Sequence, residues 1–493
     1  MGHNELHDVA FPLHREQRLQ EPPYRRSIQM NSIAILGAGP AGAWTALTLL
    51  KKFPGHRILL IEKEDVPGGI TASFQWKGMI FDYGSHRLHP ATSPDILRQV
   101  RDLLGDHLLK RPRHGRIILE GRLVAFPLKP ADLLFKLPPS FSAGVILDTL
   151  GSPFRSSGGK TFREVLEGGL GKTVSRRFYF PYSEKLWGLK PEELSPVQAQ
   201  KRIASSSLGS MIRKALSSLT GKNEGYFFYP AEGFGEITGK AVEKAVSEGV
   251  TFMPDSSLLS IERTADNSSW KLVMENGSSL KADFVFSTLP INTLAKAMNP
   301  KPPEQIMEAA GKIEYRSMVF CYLELKGARY TEFDAHYFPA KNLCFSRMSE
   351  PKIYRNTRKP PCRTGLCFEI PCSQTDEVWH MGSSEIAEKV LQDLASAGLP
   401  EPDVTDCTVK RKSNIYPVYD LSFRENTAPL ESWASSLEGL VTFGRQGLFV
   451  HDNTHHTIEV GMAAANCLET DLSWNEKLWR KHLEEFKSHV VAD

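Results

Sequence analysis

The 493-residue chain contains no run of 18 apolar residues, and so lacks the sequence of a membrane-spanning helix. Its first 29 residues are polar and basic, without the apolar centre of a secretory signal. Arg25 and Arg26 precede an apolar stretch, as in a twin-arginine signal, but that stretch reads better as a folded strand–helix unit. Residues 1–31 are therefore expected to form a flexible tail. An excess of one charge is also missing. The 60 basic and 57 acidic residues leave +3, which argues against the basic stripe of a dedicated nucleic-acid binder. Cysteine is sparse: seven residues, an odd number with no C-x-x-C pair, do not make a disulfide framework. A reducing compartment, the cytoplasm, is the expected location. Cys362, Cys367 and Cys372 are spaced unlike zinc-ligand pairs. A P-loop is absent too: GGLGKT at Gly168 to Thr173 needs a glycine at position 166, where Leu166 stands.

What the chain does have is a 41% hydrophobic content, enough for two or three domains with real cores, and one strong local pattern. From Ser32 the sequence reads SIAIL, a short buried strand. Gly37, Gly39 and Gly42 follow as G-x-G-x-x-G, then a helix expected from Pro40 to Lys52, then RILLIE, a second buried strand ending at Glu62. Each glycine has a physical job. The first makes a tight turn, the second lets backbone approach a pyrophosphate, and the third lets helix and strand pack closely. The helix N-terminus offers free N–H groups and a positive dipole end to phosphate. Glu62, 20 residues past Gly42, can accept both ribose hydroxyls. The unit predicts a dinucleotide site, and an acid at that position favours FAD or NAD over NADP.

The next segment favours FAD. EDVPGGITASFQWKGMIFDYGSHRLHP follows Lys63, and its Gly68-Gly69 pair again brings backbone close to a cofactor. The pattern resembles the second motif of the FAD-dependent amine oxidase and protoporphyrinogen oxidase superfamily, with Ile70 where that motif commonly has arginine. Near the far end, EGLVTFGRQGLFVHDNTHHTIEVGMAAANCL reads as a strand over Gly439 to Gly444, a loop and a helix from about His456. In the superfamily such a strand rejoins the first sheet, and the helix behind it points at the flavin.

Several segments resemble UDP-galactopyranose mutase-like flavoproteins more closely. They are YGSHRLHP, FPYSEKLWGLKPEEL (Phe180 to Leu194), STLPIN, EYRSMVF (Glu314 to Phe320), CFSRMSEPKIY (Cys344 to Tyr354) and FGRQGLF, in the family's order. The resemblance implies noncovalent FAD held by Gly37, Gly39, Gly42, Glu62, Gly68, Gly69, Gly84, Ser85, Gly444 and Arg445. It implies His86 beside the flavin ring, with Arg316 and Arg347 as further catalytic groups. Tyr182, Trp187, Phe345 and Asn453 would line a small-molecule substrate pocket. Phe345 replaces a tyrosine of the mutase, and Phe449, Asp452 and Asn453 replace residues that grip its sugar nucleotide. These departures make an FAD-dependent oxidoreductase the leading expectation and a non-redox mutase the alternative.

The fold expected is α/β: a discontinuous, Rossmann-like FAD-binding domain of the GR2 type with inserted helical and antiparallel-sheet substrate segments. The FAD segments would span 32–110, 231–300 and 436–493. A mainly helical insertion would cover 111–230 and a sheet-bearing one 301–435, with RSMVFCYLELK and GLCFEIPC as strands. H-x-x-H at His86 and His89 lacks a convincing third ligand. His451, His455, His456 and Asp452 read as solvated polar residues at a helix N-terminus, with Asp452 or Asn453 as its cap, so no metal is expected. Lys185 falls on a charged helical stretch, where a solvated face is expected. The apolar stretch from Lys129 to Leu147, with two basic residues, reads as a substrate-domain helix. Relatives in the protoporphyrinogen oxidase branch use such a region to lie on membranes, so peripheral membrane contact is carried as a second reading.

Overall fold

The computed structural model describes residues 31–151, 158–203 and 225–491, so the expected tail at 1–31 lies almost wholly outside the described residues. Among the described residues, no helix is long and apolar enough to cross a membrane.

The opening unit forms as its pattern predicts: strand β1 (Ser32–Leu36), helix α1 (Pro40–Lys52) and strand β2 (Arg57–Ile61). Proline opens α1 and two lysines lie in its last turn, where the helix dipole favours them. Both strands are buried on both faces, which explains their unbroken apolar runs. Ile33 and Ile35 face one core with α1, while Ala34 and Leu36 face another on the opposite side of the sheet. Three distant strands join them in parallel: β3 (Thr251–Met253), β4 (Phe284–Ser287) and β5 (Leu440–Thr442). The order across the sheet is β5-β4-β1-β2-β3. Behind it runs α2 (Thr454–Cys467), packed on α1 so closely that a Cβ on Gly461 would lie 2.3 Å from the Ala41 carbonyl oxygen. A discontinuous Rossmann-like domain is therefore what the chain builds.

The second large element is a seven-stranded sheet. Its long central strands are Tyr315–Lys326 and Arg363–Cys372, with Val404–Pro417 on one edge. Its other edge comes from the start of the 111–230 segment. Strands Gly115–Leu119 and Arg122–Phe126 form a hairpin that joins this sheet through Ala335–Tyr337. Helices begin only at Pro130, and the segment closes with another strand, Tyr226–Pro230. The missed signal was local: Glu120 and Gly121 both take positive φ, at 54° and 71°, which is the two-residue hairpin turn.

The stretch from Lys129 to Leu147 folds as two short helices, Pro130–Phe135 and Pro139–Leu150. Leu133, Leu137, Phe141 and Val145 bury one face against the hairpin, while Phe135, Leu147 and Leu150 stay exposed on the other.

Candidate active site

A cavity of about 840 Å³ runs from the carboxyl ends of β1 and β2 to the helices of the 130–203 segment. Its first end is the glycine loop. Gly37 has φ +100°, and a Cβ there would sit 2.1 Å from Thr288 Oγ1; one on Gly42 would sit 1.9 Å from the Gly37 carbonyl oxygen. Gly42 itself faces helix and strand, not the cavity. Gly39 has open space before it, which leaves backbone accessible to a ligand. Glu62 closes this end: Oε2 accepts the Ala38 N–H at 2.8 Å and Oε1 the Glu64 N–H at 3.2 Å. Burial pushes its carboxyl above the usual range, although both N–H groups pull it down.

Gly68 and Gly69, at φ +123° and +57°, fold a turn against this loop, with the Gly68 N–H donating to the Ala38 carbonyl at 2.9 Å. The two glycine motifs thus build one cradle. On the far wall, Gly444 at φ +75° and Arg445 enter the cavity from the end of β5, and the Arg445 guanidinium lies over the Tyr416 ring at 4.8 Å.

The loop Tyr83–His89 forms the middle. Gly84 stays outside the cavity: at φ +87°, a Cβ there would strike the Glu369 carboxylate at 2.9 Å. Glu369 accepts the Ser85 N–H at 2.8 Å on Oε1. The same carboxylate takes Arg347 in a fork, Nε to Oε1 at 2.7 Å and Nη2 to Oε2 at 2.6 Å. One buried acid therefore locks the His86 loop to Arg347. His86 Nε2–H donates to the Tyr83 carbonyl at 3.0 Å, which leaves Nδ1 with a lone pair, and its ring stacks on Phe234. Burial lowers its pKa, outweighing Asp82 and Glu369, so the ring is neutral at pH 7. Ser85 Oγ is buried at the cavity wall without a hydrogen-bond partner. His89 turns away from His86: its Nδ1 accepts the Ala91 N–H and its ring stacks toward His455, so H-x-x-H is not a metal pair.

Aromatic residues from the helical segment line the other end. Tyr182 is there with Phe178, and Trp187 is both core and wall, packing edge-on against Tyr416 and His451. Asn453 lines the cavity where α2 begins.

Four expectations need correction. Phe345 is fully buried between Phe338 and Phe368, and its neighbour Ser346 reaches the cavity instead. Arg316 is a strut away from the cavity: Nη1 donates to Ser373 Oγ at 2.6 Å and Nε to the Leu186 carbonyl at 3.3 Å. Lys185 is not solvated: its ammonium donates to the Phe338 and Phe345 carbonyls, and burial draws its pKa down to about 7. The histidines before and at the start of α2 are not a solvated face either, since His451 is 0% and His455 6% exposed.

Glu369 escaped notice in the sequence although one signal was there: it is the single charge inside the apolar strand GLCFEIPC. Arg87 also lines the cavity, held by the hydroxyls of Tyr337 and Tyr354 and by Asp334 at 3.3 Å. Lys412 lines it too and pairs with Glu64 at 3.0 Å.

Residues 41–459 match the family model for flavin-containing amine oxidoreductases. The chain belongs to that family. No curated protein sequence matches it significantly. Its fold is similar to a solved reduced UDP-galactopyranose mutase, at 22% identity and TM-score 0.75 over 89% of this chain and 93% of the other. It is similar as well to a putative protoporphyrinogen oxidase from Exiguobacterium, at 16% identity and TM-score 0.69 over 93% and 100%. A third match is cyclohexylamine oxidase from Brevibacterium oxydans, at 16% identity and TM-score 0.60 over 92% and 100%. At these identities the likeness is one of fold. A flavin-containing family implies a flavin, and the residues present fit one. The cavity-facing glycines Gly39 and Gly69, the acid behind them and the partnerless Ser85 hydroxyl form a cradle for a large polar ligand.

Proposed function

We propose that this chain is an FAD-dependent oxidoreductase that takes a hydride from a small-molecule substrate. The observation that carries the reading is one continuous cavity joining the glycine cradle, His86 with Ser85, and an aromatic chamber. Noncovalently bound FAD would supply the hydride acceptor, N5. The N-terminus of α1 and the Gly68-Gly69 turn would bind its diphosphate, and Glu62 has lone pairs left for ribose hydroxyls. Arg445 and the first turn of α2 would favour negative charge on the reduced ring. His86 Nδ1 would accept a proton from the substrate, and the lowered pKa of the ring suits a base and not an acid. Arg347, held by Glu369, would orient the substrate.

Three of the cations that line the cavity are paired with carboxylates, while Arg113, Arg411 and Arg445 line it too. Arg347 is neutralised by Glu369, Arg87 by Asp334 and Lys412 by Glu64. Arg411 donates to the Trp379 and Met381 carbonyls and keeps its charge. A diphosphate substrate calls for uncommitted positive charge, whereas a neutral or weakly polar substrate with an aromatic or aliphatic body suits paired cations and aromatic walls. The mutase reading keeps the support of its ordered segment resemblances.

One experiment tests both. The purified protein should be yellow, and acid precipitation should release its flavin to the supernatant. Anaerobic mixing with amines and other reduced small molecules should bleach the flavin, and air should restore it. Conversion of UDP-galactopyranose by dithionite-reduced protein, with no bleaching by any reduced substrate, would overturn the oxidoreductase reading. Colourless protein that takes up no added FAD would overturn both.

A further inference from the structure

Beside the aromatic chamber lies a cluster that the proposed reaction does not use. Asp452, His456 and His489 each bring one ligand atom into a group spanning no more than 4.8 Å. Among the described residues it is the only His, Cys, Asp or Glu group of this kind. Asp452 precedes α2, His456 lies in its first turn, and His489 comes from the C-terminal segment after the last helix, Glu476–Phe486. Asp452 and His489 are 6% and 9% exposed.

The hydrogen bonding leaves this cluster with an excess of acceptors. Asp452 Oδ1 accepts from His489 Nδ1 at 3.0 Å. Its other oxygen, Oδ2, is buried with no partner. His456 Nδ1 accepts the Asn453 N–H at 3.3 Å, so it carries a lone pair and not a proton. The same nitrogen lies 3.6 Å from Asp452 Oδ1, and it would exchange the Asn453 N–H for an ion on binding one. A buried carboxylate oxygen without a partner, beside two imidazoles, asks for a cation.

We propose that Asp452, His456 and His489 bind one divalent cation of borderline softness, of the Zn²⁺, Co²⁺ and Ni²⁺ group. Two imidazoles and one carboxylate suit these ions, whereas Ca²⁺ and Mg²⁺ need more oxygen ligands. An outer partner stands nearby. When His489 ligates through Nδ1 its proton moves to Nε2, which lies 3.7 Å from Glu459 Oε2, the carboxylate–histidine–metal arrangement that orients an imidazole. Binding needs one adjustment. The His456 and His489 rings stack, 10° apart with centroids at 4.1 Å, so one ring must turn about its Cβ–Cγ bond to share the ion. Asp452 lines the cavity, so a fourth ligand position would open toward it.

The ion would tie the C-terminal segment to α2 at the cavity's edge. That segment is already held by Lys201, whose ammonium donates to the Lys487 and His489 carbonyls at 2.8 Å each, and by the Val491 N–H on the Lys201 carbonyl. Val490 and Val491 line the cavity. Lys201 comes from helix Pro196–Ile203, so the segment bridges the helical insertion and the cofactor domain.

The test is metal uptake by the full chain, stripped with EDTA and titrated with Co²⁺ and then Zn²⁺. Calorimetry should give one ion per chain, and Co²⁺ should show a visible d–d band that Zn²⁺ displaces. His489→Ala and His456→Ala should each weaken uptake by at least about 10- to 100-fold, while His56→Ala, remote in the turn after α1, should not. Asp452→Asn should do the same where it folds, and His489→Ala, on the C-terminal segment, keeps the test valid if it does not. Retained far-ultraviolet circular dichroism controls for folding. No uptake, or uptake indifferent to both His489→Ala and His456→Ala, would overturn the site.

Discussion

Glu369 is the residue on which most of the site's geometry hangs. Its two oxygens take three N–H donors, one from the His86 loop and two from Arg347. Glu369→Ala leaves the Arg347 cation buried without its partner, which costs about 3–5 kcal/mol. The expected outcome is a fall in thermal midpoint together with a rise in KM, read by calorimetry and steady-state kinetics. At His86 the proposal predicts a different signature. His86→Ala should keep flavin content and lower kcat by about 10²- to 10⁴-fold, with loss of the acid limb of the pH–rate profile. A third effect belongs to a histidine away from the reaction. Burial draws the His336 pKa down to about 4 from the ordinary 6.5. The unfolded chain then binds a proton that the folded chain refuses. This component is fully present above pH 6.5 and is lost as pH falls to about 4. The loss amounts to about 3 kcal/mol. Urea midpoints measured across that window should drop, and drop less in His336→Gln.

Among the elements, α1 and α2 show how local pattern and close packing meet. The bounds of α1 were legible because glycine, proline and lysine each sit where helix ends favour them. The start of α2 was placed about two residues late, since its Asn453 cap was read but its first turn was not. What no periodicity could reveal is that Gly461 in α2 touches the Ala41 carbonyl in α1. Gly461→Ala should force the helices apart, costing about 1–3 kcal/mol and loosening the cradle that α1 opens. Thermal midpoint and flavin content should fall together. A lower midpoint with full flavin would mean that the helices adjust without disturbing the cradle. The hairpin Gly115–Phe126 carried its own signal in Glu120-Gly121, yet its partner strand, Ala335–Tyr337, stands more than 200 residues away. A local turn is readable in sequence; the sheet it joins is not.

Across the whole molecule, the cofactor sheet is assembled from three separate stretches of chain. Deleting 436–493 removes β5, Arg445 and α2 at once, so the truncated protein is expected to be insoluble and to bind no flavin. Conversely, saturating FAD at 100 times its dissociation constant should raise stability by about 2.7 kcal/mol, visible as a concentration-dependent thermal midpoint.

The sequence by itself determined the strand–glycine–helix–strand–acid unit and the α/β class, while the family was read from the resemblance of its ordered segments. The first two follow from backbone conformations and apolar periods that act over a few residues. Tertiary structure alone decided which polar groups meet. Glu369 reaches the Ser85 amide across 284 positions and His489 reaches Asp452 across 37, while Arg316, Phe345 and Lys185 turn from their expected places toward struts and core. Hydrogen bonds and ion pairs need contact, and contact between distant residues is set by how the sheets and helices pack. FDYGSHRLHP shows both sides. Its glycine and histidines were plain to read, but the acid that holds the loop came from a strand the sequence marked only as core.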